Sequence, residues 1–309
     1  MLRQFRVVDG KLTECNKEKG EVMIFVSPDK LEIRNLIDAF KIDEHNLNSA
    51  LDSDEISRLE IEDDHTMIIL KRPKNYSTED NLLFRVTSIG IFLFKDRLII
   101  VMPEDIQILE QRHSMRLQTL NDILIKLVYG TISHFLGHLK VINMMSDSIE
   151  QKIGTSMENK YLIHMYTLRK SLVYYMTGIN SNMAVIDKLK MFSAKLGFSE
   201  DNMELLNDII IENDQCKKLA ETYSNILTVM ITSRDAIVNN KLSNIMKRLT
   251  IITTIFMPLT LLSGIGGMSE WSAITGGTQN WYITYPLFFL GLGLIAVVTY
   301  FIFKWKGWT

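Results

Sequence analysis

Two long uncharged runs near the end of the chain constrain its fold more than any other feature of the sequence. The first, LTIITTIFMPLTLLSGIGGMS, lies between Arg248 and Glu270, and the second extends from Trp271 to Phe303. A bilayer crossing needs about 20 mainly apolar residues, and the first run has that length. The apolar part of the second, 285–303, spans roughly 29 Å as a helix. Both outer flanks are basic, with Lys247 and Arg248 before the first run and Lys304 and Lys306 after the second, whereas 269–284 holds no Lys or Arg. The positive-inside rule therefore puts both flanks in the cytoplasm and the connecting loop outside. Trp271, Trp281, Tyr282 and Trp305 stand where interfacial aromatic belts belong. The expectation is a multi-pass protein of the inner (plasma) membrane, embedded in the lipid bilayer, with both termini cytoplasmic. A buried hairpin of a soluble protein does not suit these lengths.

Read in sevens, the first span has two distinctive lines. Ser243, Thr250, Met257 and Gly264 fall on one; Met246, Thr253, Thr260 and Gly267 fall on the next. These are the two seam positions of a heptad. The neighbouring lines carry Leu249, Phe256, Ile251, Ile255, Leu262 and Ile265. A seam facing lipid gains nothing from Thr and Gly. Two readings remain open on this pattern: close helix packing through small residues, with hydroxyls bonded back to their own helix, or the wall of a water-filled path. Pro258 lies beside the seam and frees the carbonyl of Thr254. One chain with two spans cannot enclose a pore, so the second reading requires a homo-oligomer, most naturally of cyclic symmetry.

Almost every charge lies at or before Arg248, and the net charge of the 309 residues is −2. A near-neutral, mixed-sign surface argues against a nucleic-acid partner. Cys15 and Cys216 are far apart and form no CxxC metal motif, and nothing in their number or spacing suggests a disulfide framework. The first residues lack the apolar core of a signal peptide, so this part of the chain is expected in the cytosol. Phe5–Val8, Met23–Val26, Thr66–Leu70, Leu83–Phe94 and Leu98–Met102 read as strands, with Lys95-Asp96-Arg97 as a turn. Ser27-Pro28-Asp29 reads as a helix start, with Ser27 as the cap. From about Leu117 the periodicity turns helical: one helix to a break at Gly154-Thr155-Ser156, another from about Glu158 to Lys190, and a stop at Gly197. Ser199 then caps a helix free of proline until Pro258. It is expected to run into the membrane for about 65 residues, or roughly 100 Å.

Signals for catalysis are weak. His134 and His138 share a helix face, but Phe135 stands where a zinc peptidase needs glutamate. A packing or surface role is expected for both. Gly264-Ile265-Gly266-Gly267 lacks the third spaced glycine of a nucleotide loop and ends a helix instead of following a strand. Asp52, Asp54, Glu55, Glu62, Asp63 and Asp64 form an acidic neighbourhood. It reads either as solvated surface or as oxygen ligands for hard cations.

The segment NKLSNIMKRLTIITTIFMPLTLLSGIGGMS, followed by a short loop, a second span and KWKGWT, resembles the CorA family of divalent-cation channels. The shared pattern is Ile255-Phe256-Met257-Pro258-Leu259-Thr260, then Gly264, then Gly267-Met268-Ser269. The family's Gly-Met-Asn signature is altered, with Ser at 269 in place of Asn, and Gly266 replaces a usual Tyr. LDSDEISRLEIEDDHTMIILKRP resembles the segment before the family's central strand. The resemblance implies a homopentamer whose first spans line the pore. It assigns Ser243, Met246, Thr250, Met257, Thr260, Gly264 and the loop Gly267-Met268-Ser269 to that pore. The heptad reading reaches the same set and adds Thr253.

The expected fold is an α+β membrane protein forming a homopentameric funnel. Its parts are a cytosolic α/β domain (1–114), a helical hairpin (115–198), a stalk helix entering the membrane (199–268), an outside loop (269–284), a second span (285–303) and a basic tail (304–309). The expected function is channel-type transport of a divalent cation, Mg²⁺ foremost, with no enzymatic activity and no resident cofactor. Transport of Zn²⁺, Co²⁺ or Ni²⁺, or a non-conducting sensor or scaffold, stand as alternatives. Glu270 is expected near the outer mouth. Alanine at Gly267 is expected to crowd the loop. The resemblance further implies a regulatory Mg²⁺ between subunits. Its stalk carboxylate falls at Asp208, and its acidic pair falls on Asn48-Ser49, leaving Asp52 or Asp54 as substitutes.

Overall fold

The computed structural model describes residues 1–15, 20–76, 81–105, 117–155, 159–274 and 279–305. The expected boundary beyond Leu109, Ser156 in the expected helix break and Lys306 of the tail lie outside the described residues. The chain divides into two compact units, Met1–Ile231 and Thr232–Thr309.

In the first unit seven strands form one sheet. They are β1 (Leu2–Val8), β2 (Lys11–Glu14), β3 (Val22–Val26), β4 (Arg58–Ile61), β5 (His65–Pro73), β6 (Val86–Phe94) and β7 (Leu98–Met102). The order is β2-β1-β3-β7-β6-β5-β4, antiparallel throughout except for β3 beside β7. Both faces of the sheet are covered, which is why β3, β5 and β7 read as continuous apolar runs. Within β3, Met23 and Phe25 face one core while Val22, Ile24 and Val26 face the other, following the two-residue period of a strand.

Helices α1 (Lys30–Phe40) and α2 (Glu44–Leu51) cover the first face. The cap of α1 is Asp29, not Ser27. The Asp29 carboxylate accepts from the Leu31 and Glu32 N–H groups, and Glu32 returns to the Asp29 N–H to close a capping box. Ser27 instead takes a left-handed turn, φ 44°, just after β3. Helix α2 lies directly on β6, where a Cβ at Gly90 would come within 2.3 Å of the Ala50 methyl. Only glycine permits that approach.

The second face is covered by α3 (Leu120–Thr155), α4 (Asn159–Met191) and the start of α6 (Glu200–Gly266). Leu206, Ile209, Cys216, Ala220, Leu227 and Ile231 carry α6 into the same core as Phe135, Leu168, Leu172 and Tyr175. A short α5 (Ser193–Leu196) ends at Gly197, whose φ of 71° is a helix stop. The Ser199 hydroxyl accepts from the Asn202 N–H, capping α6 as expected.

In the second unit α6 continues to Gly266 with Pro258 inside it. It is followed by α7 (Ser269–Ile274) and α8 (Trp281–Trp305). Helices α6 and α8 are long and apolar enough to cross a membrane. The second apolar helix starts at Trp281, earlier than the expected Tyr285. The Thr284 hydroxyl donates to the Asn280 carbonyl, which removes the polarity that set the later start.

Candidate pore face

Within the second unit, two helices meet along regular lines. On α6 the half-buried residues are Ile251, Ile255, Leu259, Leu262 and Gly266; on α8 they are Thr284, Phe288, Leu292, Ala296, Thr299 and Phe303. The tightest point is Gly266, where an added Cβ would lie 2.6 Å from the tip of the Phe288 ring. Trp271 of α7 packs on the same ring, with centroids 6.2 Å apart. Glycine at 266 thus makes room for an aromatic ring from α8.

Ser243, Met246, Thr250, Thr253, Met257, Thr260, Gly264 and Gly267 are all exposed on the single chain. At about 100° per residue, their mean direction lies roughly opposite the line that meets α8. The stripe of small and hydroxylated residues therefore does not serve to pack the two spans of one chain. A shallow groove flanking the pair is lined by Phe256, Thr260, Ser263 and Gly264 of α6 with Phe289 and Gly293 of α8, so Thr260 and Gly264 of the stripe also border this groove.

The threonine hydroxyls are already donating. Thr250 donates to the Met246 carbonyl at 2.8 Å, Thr260 to Phe256 at 2.9 Å, and Thr253 to both Leu249 and Thr250 at 3.1 and 3.0 Å. A hydroxyl whose proton is spent on its own helix keeps its oxygen lone pairs for other donors. Such a stripe offers acceptors, which is what the water shell of a cation requires.

At the end of α6 the backbone tightens. The Gly267 N–H donates to the Ser263 and Gly264 carbonyls at 3.1 and 3.3 Å, and the Met268 N–H donates to Ile265 at 3.1 Å. Met268 and Ser269 are exposed, and Ser269 and Glu270 open α7. The crowding expected from alanine at 267 does not arise within one chain. An added Cβ there meets only the Gly264 and Ser263 carbonyls, at 3.6 and 3.7 Å, which is ordinary contact. The tight glycine is Gly266, which sequence reasoning registered only as a departure from the family pattern.

The regulatory candidates lie on different elements of the first unit. Asp208 is exposed on α6 and shares a cleft with Asp122, Lys126, Tyr129, Asp201 and Glu204. Asp52 and Asp54 follow α2, where the Asp54 N–H donates to the Asp52 carboxylate at 2.9 Å. Among the described residues no group of three or more His, Cys, Asp or Glu side chains is arranged to hold a metal ion.

His134 and His138 have a packing role, as expected. Their rings meet edge to face at 4.4 Å, and the Tyr175 hydroxyl lies 2.6 Å from His138 Nδ1. Arg72, which is 3% exposed, reaches His134 Nδ1 at 3.3 Å. A guanidinium can only donate, so that nitrogen must be unprotonated. Burial, aided by the neighbouring histidine and Arg72, pushes His134 down to about 3; burial, with Arg72, pushes His138 down to about 4. Between these values and the ordinary 6.5 the unfolded chain holds protons that the folded chain refuses, so stability rises with pH there. The full-length protein is expected to lose thermal stability steadily as pH falls from about 6.5 toward 4, with the two rings titrating as a pair. Thermal midpoints measured over that range check this, and His134→Gln with His138→Gln should flatten the slope.

A two-span membrane protein, with a covered α/β sheet in one unit and an exposed hydroxyl-bearing helix face in the other, is the class these features define. The family model described as CorA-like Mg²⁺ transporter protein matches residues 23–305. The chain belongs to that family of membrane transporters, which are not enzymes. It is 25% identical over 314 aligned residues to the cobalt/magnesium transport protein CorA of Methanocaldococcus jannaschii, covering 98% of this chain and 96% of that one. It is 27% identical over 187 residues to the protein of the same description from Thermotoga maritima, covering 60% of this chain and 52% of that one. The complete structure of the CorA magnesium transporter from M. jannaschii matches with a TM-score of 0.82 at 21% identity, over 100% of this chain and 98% of that one.

Proposed function

We propose that the protein passes hydrated divalent cations, Mg²⁺ foremost, into the cytoplasm through a pore on the axis of a homopentamer. The observation that carries this reading is the exposed stripe from Ser243 to Gly267, turned away from α8. Mg²⁺ sheds its water reluctantly, so a pore does best to hold the ion by its water shell with rings of oxygen acceptors. The hydroxyls of Thr250, Thr253 and Thr260, with the carbonyl of Gly264, suit that task. Gly267, Met268 and Ser269 form the entrance, and five Glu270 residues, one per protomer, concentrate cations there. The membrane potential supplies about 2.3 kcal/mol per charge per 100 mV, twice that for a divalent ion, so no nucleotide is needed. The protein sits in the inner (plasma) membrane with both termini cytoplasmic.

Ser269 supports a second reading, transport of Co²⁺, Ni²⁺ or Zn²⁺, because a hydroxyl reaches a hydrated ion less fully than the amide it replaces. The relatives' descriptions name cobalt beside magnesium. Regulation by cytosolic Mg²⁺ is weak in this proposal. By the resemblance the acidic pair that would join Asp208 across the subunit boundary falls on neutral Asn48 and Ser49, and affinity for hard cations rises with ligand charge. Flux of an ion panel into liposomes holding the purified protein tests the reading. Mg²⁺ is expected to enter, and Ser269→Asn is expected to shift the preference among ions several-fold. No flux of any ion would leave a non-conducting sensor or scaffold in its place.

A further inference from the structure

Lys71 lies toward the end of β5, beside the edge strand β4, and is 6% exposed, yet among the described residues it has no carboxylate within ion-pair distance. Its ammonium donates to the Ser53 carbonyl at 2.6 Å and to the Ser88 hydroxyl at 2.9 Å. The Ser88 hydroxyl in turn donates to the Asp52 carbonyl. At Ser57 the loop is fastened again: the Ser57 N–H donates to the Ser181 hydroxyl at 2.7 Å, and the Ser57 hydroxyl donates to the buried Asn182 amide oxygen at 2.9 Å. The loop is thus tied to the ammonium directly through the Ser53 carbonyl and indirectly through the Ser88 hydroxyl and the Asp52 carbonyl. The carboxylates of Asp52, Asp54 and Glu55 act on it through space, opposing the lowering of its pKa by burial. Glu55 is itself paired with Arg58 at 2.6 Å.

We propose that Lys71 is the resident cation of the acidic loop 52–57, doing there what a bound metal ion would otherwise do. A buried ammonium is retained only where oxygen acceptors and negative field compensate its lost hydration. The loop provides both, and in return it is held in one conformation without metal. A divalent ion brought to Asp52 and Asp54 would meet a like charge already in place. These two residues therefore do not form a Mg²⁺ sensor, and the loop keeps one shape whatever the cytosolic Mg²⁺ concentration. This inference does not depend on transport, and its test uses no flux measurement.

The test is hydrogen exchange at 52–57 in the full-length protein in detergent, with EDTA and with millimolar Mg²⁺. Unmodified protein is expected to exchange at the same rate in both. Asp52→Asn with Asp54→Asn keeps the shapes and the acceptor for the Asp54 N–H but removes the negative field. In EDTA it is expected to speed exchange several-fold, because the ammonium loses its compensation. An empty metal site would behave oppositely, since neutralising its repelling carboxylates slows exchange. Lys71→Met is expected to speed exchange in EDTA and to regain protection on adding Mg²⁺; the paired asparagine variant decides the matter if Lys71→Met does not fold. Protection of the unmodified loop by Mg²⁺, or unchanged or slower exchange in the paired variant, would overturn the proposal.

Discussion

Thr260→Lys is expected to abolish Mg²⁺ uptake into liposomes while the assembled protein still forms. In the proposed pore five ammonium groups would ring the axis, at a stripe position that borders the groove beside α8. A divalent ion about 6 Å from one unit charge, at an effective dielectric near 20, meets roughly 5 kcal/mol of repulsion. Each 1.4 kcal/mol is about tenfold in rate, so a single lysine slows passage by more than about a thousandfold and five close the path. Thr260→Ser keeps the oxygen acceptor and is expected to retain most of the flux. If the stripe served only to pack subunits, the lysine would instead break the assembly and the serine would be indistinguishable from the parent. Uptake followed with a Mg²⁺-sensitive dye, beside a size measurement of the purified oligomer, separates these outcomes.

Asn182→Leu is expected to be the most damaging single change in the first unit. Asn182 is fully buried on α4. Its amide oxygen accepts from the Lys71 N–H at 2.8 Å and from the Ser57 hydroxyl at 2.9 Å, and its amide nitrogen donates to the Lys71 carbonyl at 2.6 Å. Leucine is close in volume and leaves three buried polar groups without partners. At about 1–3 kcal/mol for each orphaned group, the loss is roughly 3–9 kcal/mol, comparable with the whole stability of many domains. Asn182→Asp should cost less only where its carboxyl is protonated, since that form still accepts both bonds and can donate to the Lys71 carbonyl. The fraction of protein recovered folded, with its thermal midpoint, measures the effect.

The membrane-length helices were legible because a bilayer imposes length, and the stripe of small and hydroxylated residues on α6 because a heptad imposes period. The strands of the central sheet were legible where both faces are buried, as in Thr66–Leu70 and Leu98–Met102. Other elements left too little pattern. Helix α2 has eight residues, and β2 and β4 have four each, so none completes a convincing period. The parallel pairing of β3 with β7 joins residues far apart in sequence and has no local signature. The α1 cap was read two residues early because Ser27-Pro28 resembles a helix start, although only Asp29 has glutamate three residues on to close the box. Lys71 and Arg72 continue β5 beyond the expected end at Leu70. They are buried, because their partners, Ser53, Ser88 and His134, come from other elements. The pairing of Gly266 with Phe288 was likewise hidden, since it depends on how α6 meets α8.

Cysteine accessibility along α6, in the protein reconstituted in liposomes, tests the central claim most directly. Single cysteines at Thr253, Thr260 and Gly264 probe the stripe, and Gly264 has open space for a new side chain on the single chain. Ile255 and Leu262 probe the line against α8, and Val297 probes an exposed face of α8. Cys15 and Cys216, the two native cysteines, are first replaced by serine and alanine. A water-soluble, membrane-impermeant thiol reagent is expected to modify the stripe positions many-fold faster than the others, and modification at 260 is expected to stop Mg²⁺ flux. Equal reactivity on both sides of α6, or fast modification at 260 with flux unchanged, would contradict a pore lined by this helix.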